Sequence, residues 1–165
     1  MNHRLVIAGL VLLCVGVPVV AEAEVCQNHR LELDYNEVEI LDPPLPGYDG
    51  CGLFPKIRGT LNGRFTSCIS FADIIPSDLL WGDGNYDYVA TKWDDVIETR
   101  EGDLFLEERS IIKLGAPDEI LFQAGLLEVT GGTGAYEGAT GTLALYQKWP
   151  NRLDLLEMRG SICTP

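Results

Sequence analysis

Ile57-Arg58-Gly59-Thr60-Leu61-Asn62-Gly63-Arg64-Phe65-Thr66-Ser67-Cys68-Ile69-Ser70-Phe71 alternates apolar and polar side chains with a period of two. Leu61, Phe65, Ile69 and Phe71 fall on one face and Thr60, Asn62, Arg64 and Thr66 on the other, the pattern of a half-buried β-strand. Ile75-Pro76-Ser77-Asp78 ends the run, because proline fixes φ and lacks a donor. The 57–75 segment is long enough to be split into two strands. Downstream, a polar and aromatic stretch over 81–88 leads to a strand ending near Thr99. Arg100-Glu101-Gly102-Asp103 predicts a hairpin turn into a strand over 104–114, and Gly115-Ala116-Pro117-Asp118 marks the next turn. Further strands are expected over 120–130, 142–149 and 153–163, the last two joined at Pro150-Asn151.

Upstream, Leu31, Leu33 and Tyr35 alternate with Glu32 and Asp34, and the apolar phase then shifts to Val38 and Ile40. A phase shift of one residue predicts a β-bulge near Asn36. From 24 to 55 the chain otherwise reads as acidic and turn-rich, with Asp42-Pro43-Pro44-Leu45-Pro46-Gly47 as a loop. This makes seven strands, eight if the 57–75 segment splits. No stretch carries a long 3.6-residue apolar period with caps, so the fold class is all-β and antiparallel. Ile120, Phe122 and Leu126 lie on one face of their strand and Leu121, Leu127 and Val129 on the other. Apolar residues on both faces fit a closed barrel whose outside is partly covered by loops or a partner subunit. A homo-oligomer is therefore among the expected states.

Arg4, with His3, precedes an apolar run from 5 to 20, and Ala21-Glu22-Ala23 follows as an A-x-A cleavage pattern. These are the parts of a secretory signal peptide over 1–23. The run is short for a ~30 Å hydrocarbon core, and Gly9, Gly16 and Pro18 interrupt it. A single domain over 24–165 with no membrane span is expected, secreted or periplasmic. The net charge of −13, from 12 Lys+Arg against 25 Asp+Glu, argues against nucleic acid as a partner.

Export changes what the cysteines mean. Without Cys14 four remain, Cys26, Cys51, Cys68 and Cys163, and an even number in an oxidising compartment points to two disulfides. Three connectivities exist. The expected one is Cys51–Cys68, which closes a local loop, with Cys26–Cys163, which joins the ends of the exported chain. A zinc site would need a Cys-x-x-Cys pair that is absent, and only His29 survives cleavage.

Thr130-Gly131-Gly132-Thr133-Gly134-Ala135-Tyr136-Glu137-Gly138-Ala139-Thr140-Gly141 holds five of the 18 glycines. Gly131, Gly132 and Gly134 allow positive φ and close backbone approach at a corner. Tyr136 would be the aromatic anchor covering it, while Gly138 and Gly141 mark bulges or kinks. A phosphate-cradling reading fails because no helix and no Lys-Ser/Thr pair follow. The segment resembles the strand–turn of the allene oxide cyclase barrel and dirigent-like family, whose pattern is close to T-G-G-[ST]-G-x-[FY]-E-G-x-x-G. Arg159-Gly160-Ser161-Ile162-Cys163-Thr164-Pro165 is similar to the C-terminus of exported bacterial members. The resemblance covers roughly 119–165, weakens over 57–114 and fades before 57. It implies an eight-stranded, calycin-like antiparallel β-barrel whose lumen holds a small apolar molecule. In plants such barrels cyclise a fatty-acid epoxide or orient phenolic radicals. The cyclase residues lie near the N-terminal strands, where this chain departs, so no catalytic residue is carried over, Glu32 included.

Other constellations are weaker. Ser-His-Asp catalysis would have to use His29, near the start of the exported chain, as its base. Paired carboxylates arise by chance among so many acidic residues, and a solvated surface is the default. Asp83-Gly84-Asn85-Tyr86-Asp87 with Asp94 has calcium-loop spacing but Tyr88 where the loop needs Gly. Trp81, Tyr86, Tyr88 and Trp93 would cover a barrel end or form a ligand-gating rim. No metal or cofactor is assigned. The expected function is binding of a small hydrophobic ligand in the barrel lumen. The alternatives are an isomerase, cyclase or dirigent-like enzyme acting on a lipid-derived or phenolic substrate, and a structural or interaction protein with a packed lumen.

Overall fold

The computed structural model describes residues 24–76, 88–114, 120–148 and 152–165. The alternating segments become β1 (Val25–Asp34), β2 (Glu39–Ile40), β3 (Gly50–Gly59), β4 (Gly63–Ile69), β5 (Ile75–Pro76), β6 (Tyr88–Thr99), β7 (Asp103–Leu114), β8 (Ile120–Gly132), β9 (Thr140–Lys148) and β10 (Arg152–Thr164). Three single 3₁₀ turns, Tyr35–Glu37, Phe71–Asp73 and Gly134–Tyr136, are the only helical pieces among the described residues. Hydrogen bonding runs β1-β10-β9-β8-β7-β6-β4-β3, all antiparallel. The ring then closes through Leu31 opposite Gly59 and Glu32 opposite Arg58. The result is a closed eight-stranded antiparallel β-barrel, with β2 and β5 as short additions on β3 and β6.

Inward positions carry the core. Leu31 and Leu33, Phe65, Ile97, Leu104, Leu127, Leu143, Leu145 and Met158 are all nearly or wholly inaccessible. Each such side chain contributes about 1.5–3 kcal/mol relative to exposure. Tyr136 from the glycine corner is buried with Ala139 in the same cluster.

The 57–75 segment does split. Gly59 and Gly63 flank the hairpin, and their backbones press on Arg30 and Glu98, so that a Cβ would fall 2.1 and 2.0 Å from those carbonyl oxygens. Three local expectations need correction. β3 begins at Gly50, inside the stretch read as turn-rich, because its register shifts between Phe54 and Ile57 around Pro55 and hides the alternation. The phase change near Asn36 is a 3₁₀ turn capped by Asp34, whose Oδ1 accepts the Asn36 amide at 3.0 Å, not a bulge. Phe71 leaves the face of Leu61, Phe65 and Ile69 because a turn intervenes, and it is 64% exposed.

Gly131, Gly134, Gly138 and Gly141 all have positive φ. Gly132 serves close approach instead: a Cβ there would lie 2.4 Å from the Asp103 carbonyl oxygen. Disulfides join Cys26 to Cys163 and Cys51 to Cys68, each between directly opposed residues of paired strands. The two loops differ in length, with sequence separations of 137 and 17. Chain-entropy reasoning then ranks their contributions at about 5 and about 3 kcal/mol. Urea denaturation of the Cys26→Ser/Cys163→Ser and Cys51→Ser/Cys68→Ser variants should therefore show the larger loss for the first pair.

Candidate functional site

The inward face of the barrel changes chemistry along its axis. On β6 the inward residues run Ile97, Asp95, Trp93, Thr91; on β7 Leu104, Leu106, Glu108, Ser110; on β8 Val129, Leu127, Gly125, Gln123. Asp95, Glu108, Ser110, Gln123 and Thr91 are all buried. Register explains their meeting. Trp93 faces Glu108 and Asp95 faces Leu106, so Asp95 and Glu108 are diagonal neighbours across β6 and β7. Gly125 lies opposite Ser110, between Gln123 and Leu127 on the inward face of β8. Having no side chain, it leaves Gln123 a path to Glu108; a Cβ would come 2.6 Å from that of Ser110.

The hydrogen bonds have a direction. Tyr35 Oη donates to Gln123 Oε1. That fixes the amide, whose Nε2 then donates to Glu108 Oε1 at 2.8 Å. Ser110 also favours the charged form of Glu108, and Ser110 and Thr91 pair at 2.9 Å, with Trp93 Nε1 donating to Thr91 at 2.8 Å. Tyr35 stacks edge-on against Phe54 at 5.6 Å, and Phe54 lies 5.8 Å from Phe65, so the tyrosine joins the polar row to the apolar core.

Asp95 stands apart. It is 2% exposed, and neither carboxyl oxygen has a hydrogen-bond partner of ordinary geometry. Ser67 and Glu108 bear on its proton all the same. Burial first, and then the charge of Glu108, hold Asp95 well above the usual carboxylate range. Burial also raises Glu108, although Ser110, Gln123 and Asp95 pull it back. Burial and the charge of Glu108 push the Tyr35 phenol upward. The two titrate as one unit, with Asp95 the more strongly raised.

Glu157 supplies the contrast. Its side chain is 1% exposed on the outer wall, but Arg30 Nε sits 2.8 Å from it and Arg159 bonds it too. Burial raises its carboxyl, and Arg159, Tyr146 and Arg30 together outweigh that and hold it below the usual range. It is a braced structural acid.

The glycine corner lies elsewhere, at the opposite end. Over it runs a groove of about 660 Å³ lined by Thr60, Leu61, Arg64, Glu98, Arg100 and Tyr136. Its Arg64 and Glu98 are paired with each other at 3.0 Å. His29 shares a hydrogen bond with Thr60 at 3.1 Å. Asp83 to Asp87, Trp81 and Tyr86 lie outside the described residues, as does 1–23, while Asp94 accepts a hydrogen bond from Tyr48 at 3.0 Å. On β8, Leu127 and Val129 are buried and Phe122 and Leu126 face outward; the side chains of Ile120 and Leu121 are outside the described set.

The acid pair was missed in the sequence because both acids sit in acidic doublets, Asp94-Asp95 and Glu107-Glu108, that read as solvated. The available signal was parity: Asp95 shares the phase of Ile97, and Glu108 that of Leu104 and Leu106. Among protein-family models, curated proteins and solved structures, none matches the chain.

Raised carboxyls bind protons more tightly when folded than when unfolded, so this pair lowers stability as pH climbs above the ordinary values of 3.8 and 4.5. Besides its own two members, the charged group that acts on the pair is Asp94, from the outward face of β6, with Tyr35, Ser67, Ser110 and Gln123 as neutral neighbours. Asp95→Asn should gain stability over the native chain by roughly 1–3 kcal/mol at neutral pH. The gain should grow between pH 4 and 8 and shrink toward the ordinary Asp value, as measured by urea melts across that range.

Proposed function

We propose that the protein is an exported barrel that binds a small, largely apolar molecule against the polar row of its interior. The observation that carries this reading is the Asp95–Glu108 pair, two carboxyls buried together on the inner face with no cation beside them among the described residues. Buried acids whose titration is shifted by desolvation and by each other concentrate at functional sites. Two disulfides, which persist in oxidising compartments, and the leader-like 1–23 segment support export. No helix among the described residues is long and apolar enough to cross a membrane. The resemblance of 130–141 to the allene oxide cyclase barrel and dirigent-like family supports a lumen used for small molecules. Proton transfer to the bound molecule, the isomerase or cyclase alternative, would use the same Asp95–Glu108 pair; turnover of the bound molecule separates it from binding alone.

Native mass spectrometry of protein purified from its own host should find a bound small molecule that denaturation releases. Tyr35→Phe should retain it about tenfold less well, through loss of the bond that orients Gln123. Bare chain in every charge state would refute the reading.

A second reading, docking of another copy on the outer wall, is favoured by a different observation. Ile75, Ala90, Ile111 and Ala124 stand directly opposite one another across β5, β6, β7 and β8. With Leu126, 57% exposed, they line an apolar groove of about 420 Å³. Sedimentation velocity should then report more than one chain per particle and Ile111→Lys should return the monomer; a native chain monomeric at every concentration excludes it.

A further inference from the structure

We propose that the open edge of β1 over residues 25–29 pairs antiparallel with the same edge of a second copy, about a two-fold axis at Gln27. The first argument is the length of the strand. β3 ends at Gly59, opposite Leu31, whereas β1 begins at Val25 and stays paired with β10 throughout. β1 therefore overhangs the closed ring on its β3 side. Main-chain groups of successive strand residues point to opposite sides, so parity fixes which of them face the gap. Arg30 marks that side: its carbonyl accepts from the Thr60 amide at 3.0 Å, and its amide donates to Thr60 Oγ1 at 3.1 Å. Cys26 and Asn28 share its parity, and their amides and carbonyls have no hydrogen-bond partner among the described residues. Residues 24–28 are exposed. The overhang is held in shape, since its register with β10 is unbroken and Cys26–Cys163 clamps it, so little order has to be imposed on pairing. The usual guards of an edge are missing too: Val25-Cys26-Gln27-Asn28-His29 holds no proline, lysine or carboxylate.

The second argument is what the pairing brings together. Thr60 occupies the backbone of Arg30, so the open stretch is 25–29, and matching its whole length with itself sets Gln27 opposite Gln27. Cys26 then faces Asn28 of the second copy, and each such couple exchanges both of its main-chain bonds. Val25, 54% exposed, comes opposite His29 of the second copy, over the groove of about 280 Å³ that His29 lines with Thr60, Leu61 and Tyr136. Charge sets the direction. Two chains of net charge −13 repel, but the edge carries no formal charge and its flanks are of opposite sign, Glu24 before it and Arg30 after it. Antiparallel pairing brings Glu24 of each copy to the end where Arg30 of the other lies. By parity both project from the outer face, and Arg30 is still 52% exposed while it bonds Glu32 and Glu157. Parallel pairing would set like charges together instead.

This edge lies apart from the β5–β8 groove, and the same measurement separates the two. Sedimentation velocity at physiological salt, where charges beyond about 8 Å are screened, should show a monomer–dimer equilibrium. Asn28→Pro removes an amide donor that the β1–β10 ladder does not use, at a position where an edge strand accepts proline, and should weaken the dimer at least about tenfold. Glu24→Lys, at an exposed end, should weaken it at least about threefold. Ile111→Lys should leave it unchanged. Backbone hydrogen exchange needs no variant: the Cys26 and Asn28 amides should slow as concentration rises, while those of Gln27 and His29, which face β10, stay as they are. A chain monomeric at every concentration, a dimer indifferent to both Asn28→Pro and Glu24→Lys, or Cys26 and Asn28 amides that ignore concentration overturns the assignment. A dimer abolished by Ile111→Lys overturns it as well and puts the second copy on the outer wall. None of these outcomes touches the interior reading, which stands or falls on the molecule sought by native mass spectrometry.

Discussion

β1 is hydrogen-bonded on both sides, to β10 along its whole length and to β3 through Leu31 and Glu32. That double pairing leaves the eight-stranded ring without a free edge, which is how an all-β chain avoids presenting unpaired backbone to other chains. It also converts the period of two into an absolute division between inside and outside. In an open sheet, a polar residue on the covered face can twist toward an edge and reach water. In a closed ring it cannot. Cys26–Cys163 fixes the β1–β10 seam near the ends of both strands, and the corner at 130–141 closes one end with Tyr136 and Ala139. The positions of Asp95, Glu108 and Gln123 follow from their parity within that ring.

The deeply buried acids then divide by what neutralises them. Glu157 is covered by Arg30 and Arg159, so its charge is retained and its burial compensated. Asp95 and Glu108 have no such cation among the described residues, and burial raises both. Carboxyls held this way cost stability at neutral pH. Apolar residues of similar size at these positions would make a more stable barrel, as Leu104 and Leu106 do one step along β7. Local violation of the packing rule, in a barrel otherwise consistent with it, is the physical ground for placing the site here.

Much of the barrel was legible because strands with one wet face alternate visibly. The runs of β4, β6, β7, β8, β9 and β10 and the glycine corner could all be read from side-chain chemistry alone. β3 could not, because a register shift around Pro55 breaks its alternation, and glycines at 50, 52 and 59 remove the side chains that would have carried it. The site was hidden for a related reason. A doublet such as Asp94-Asp95 has one acid outside and one inside whichever phase the strand takes, and composition cannot tell them apart. Only the phase inherited from Ile97 and Phe65 does so, and it becomes decisive once the ring is known to close. Gly125 belongs to the same class: its meaning lies in the Ser110 opposite, which no local reading supplies.

The gradient along the interior constrains how any guest can lie. Toward the glycine corner the inward positions of β6, β7 and β8 are Ile97, Leu104 and Val129, packed to near-zero accessibility against Leu143, Met158 and Ile162. A close-packed region of this kind cannot admit a tail without forcing side chains off their rotamers, at a cost of about 1–3 kcal/mol for each methylene-scale intrusion. The acid pair sits immediately beyond that apolar half and is itself buried, with Thr91, Ser110 and Gln123. Any molecule that enters has to rearrange this polar row, and it would meet Tyr35, Gln123 and Glu108 as one directed chain of donors and acceptors.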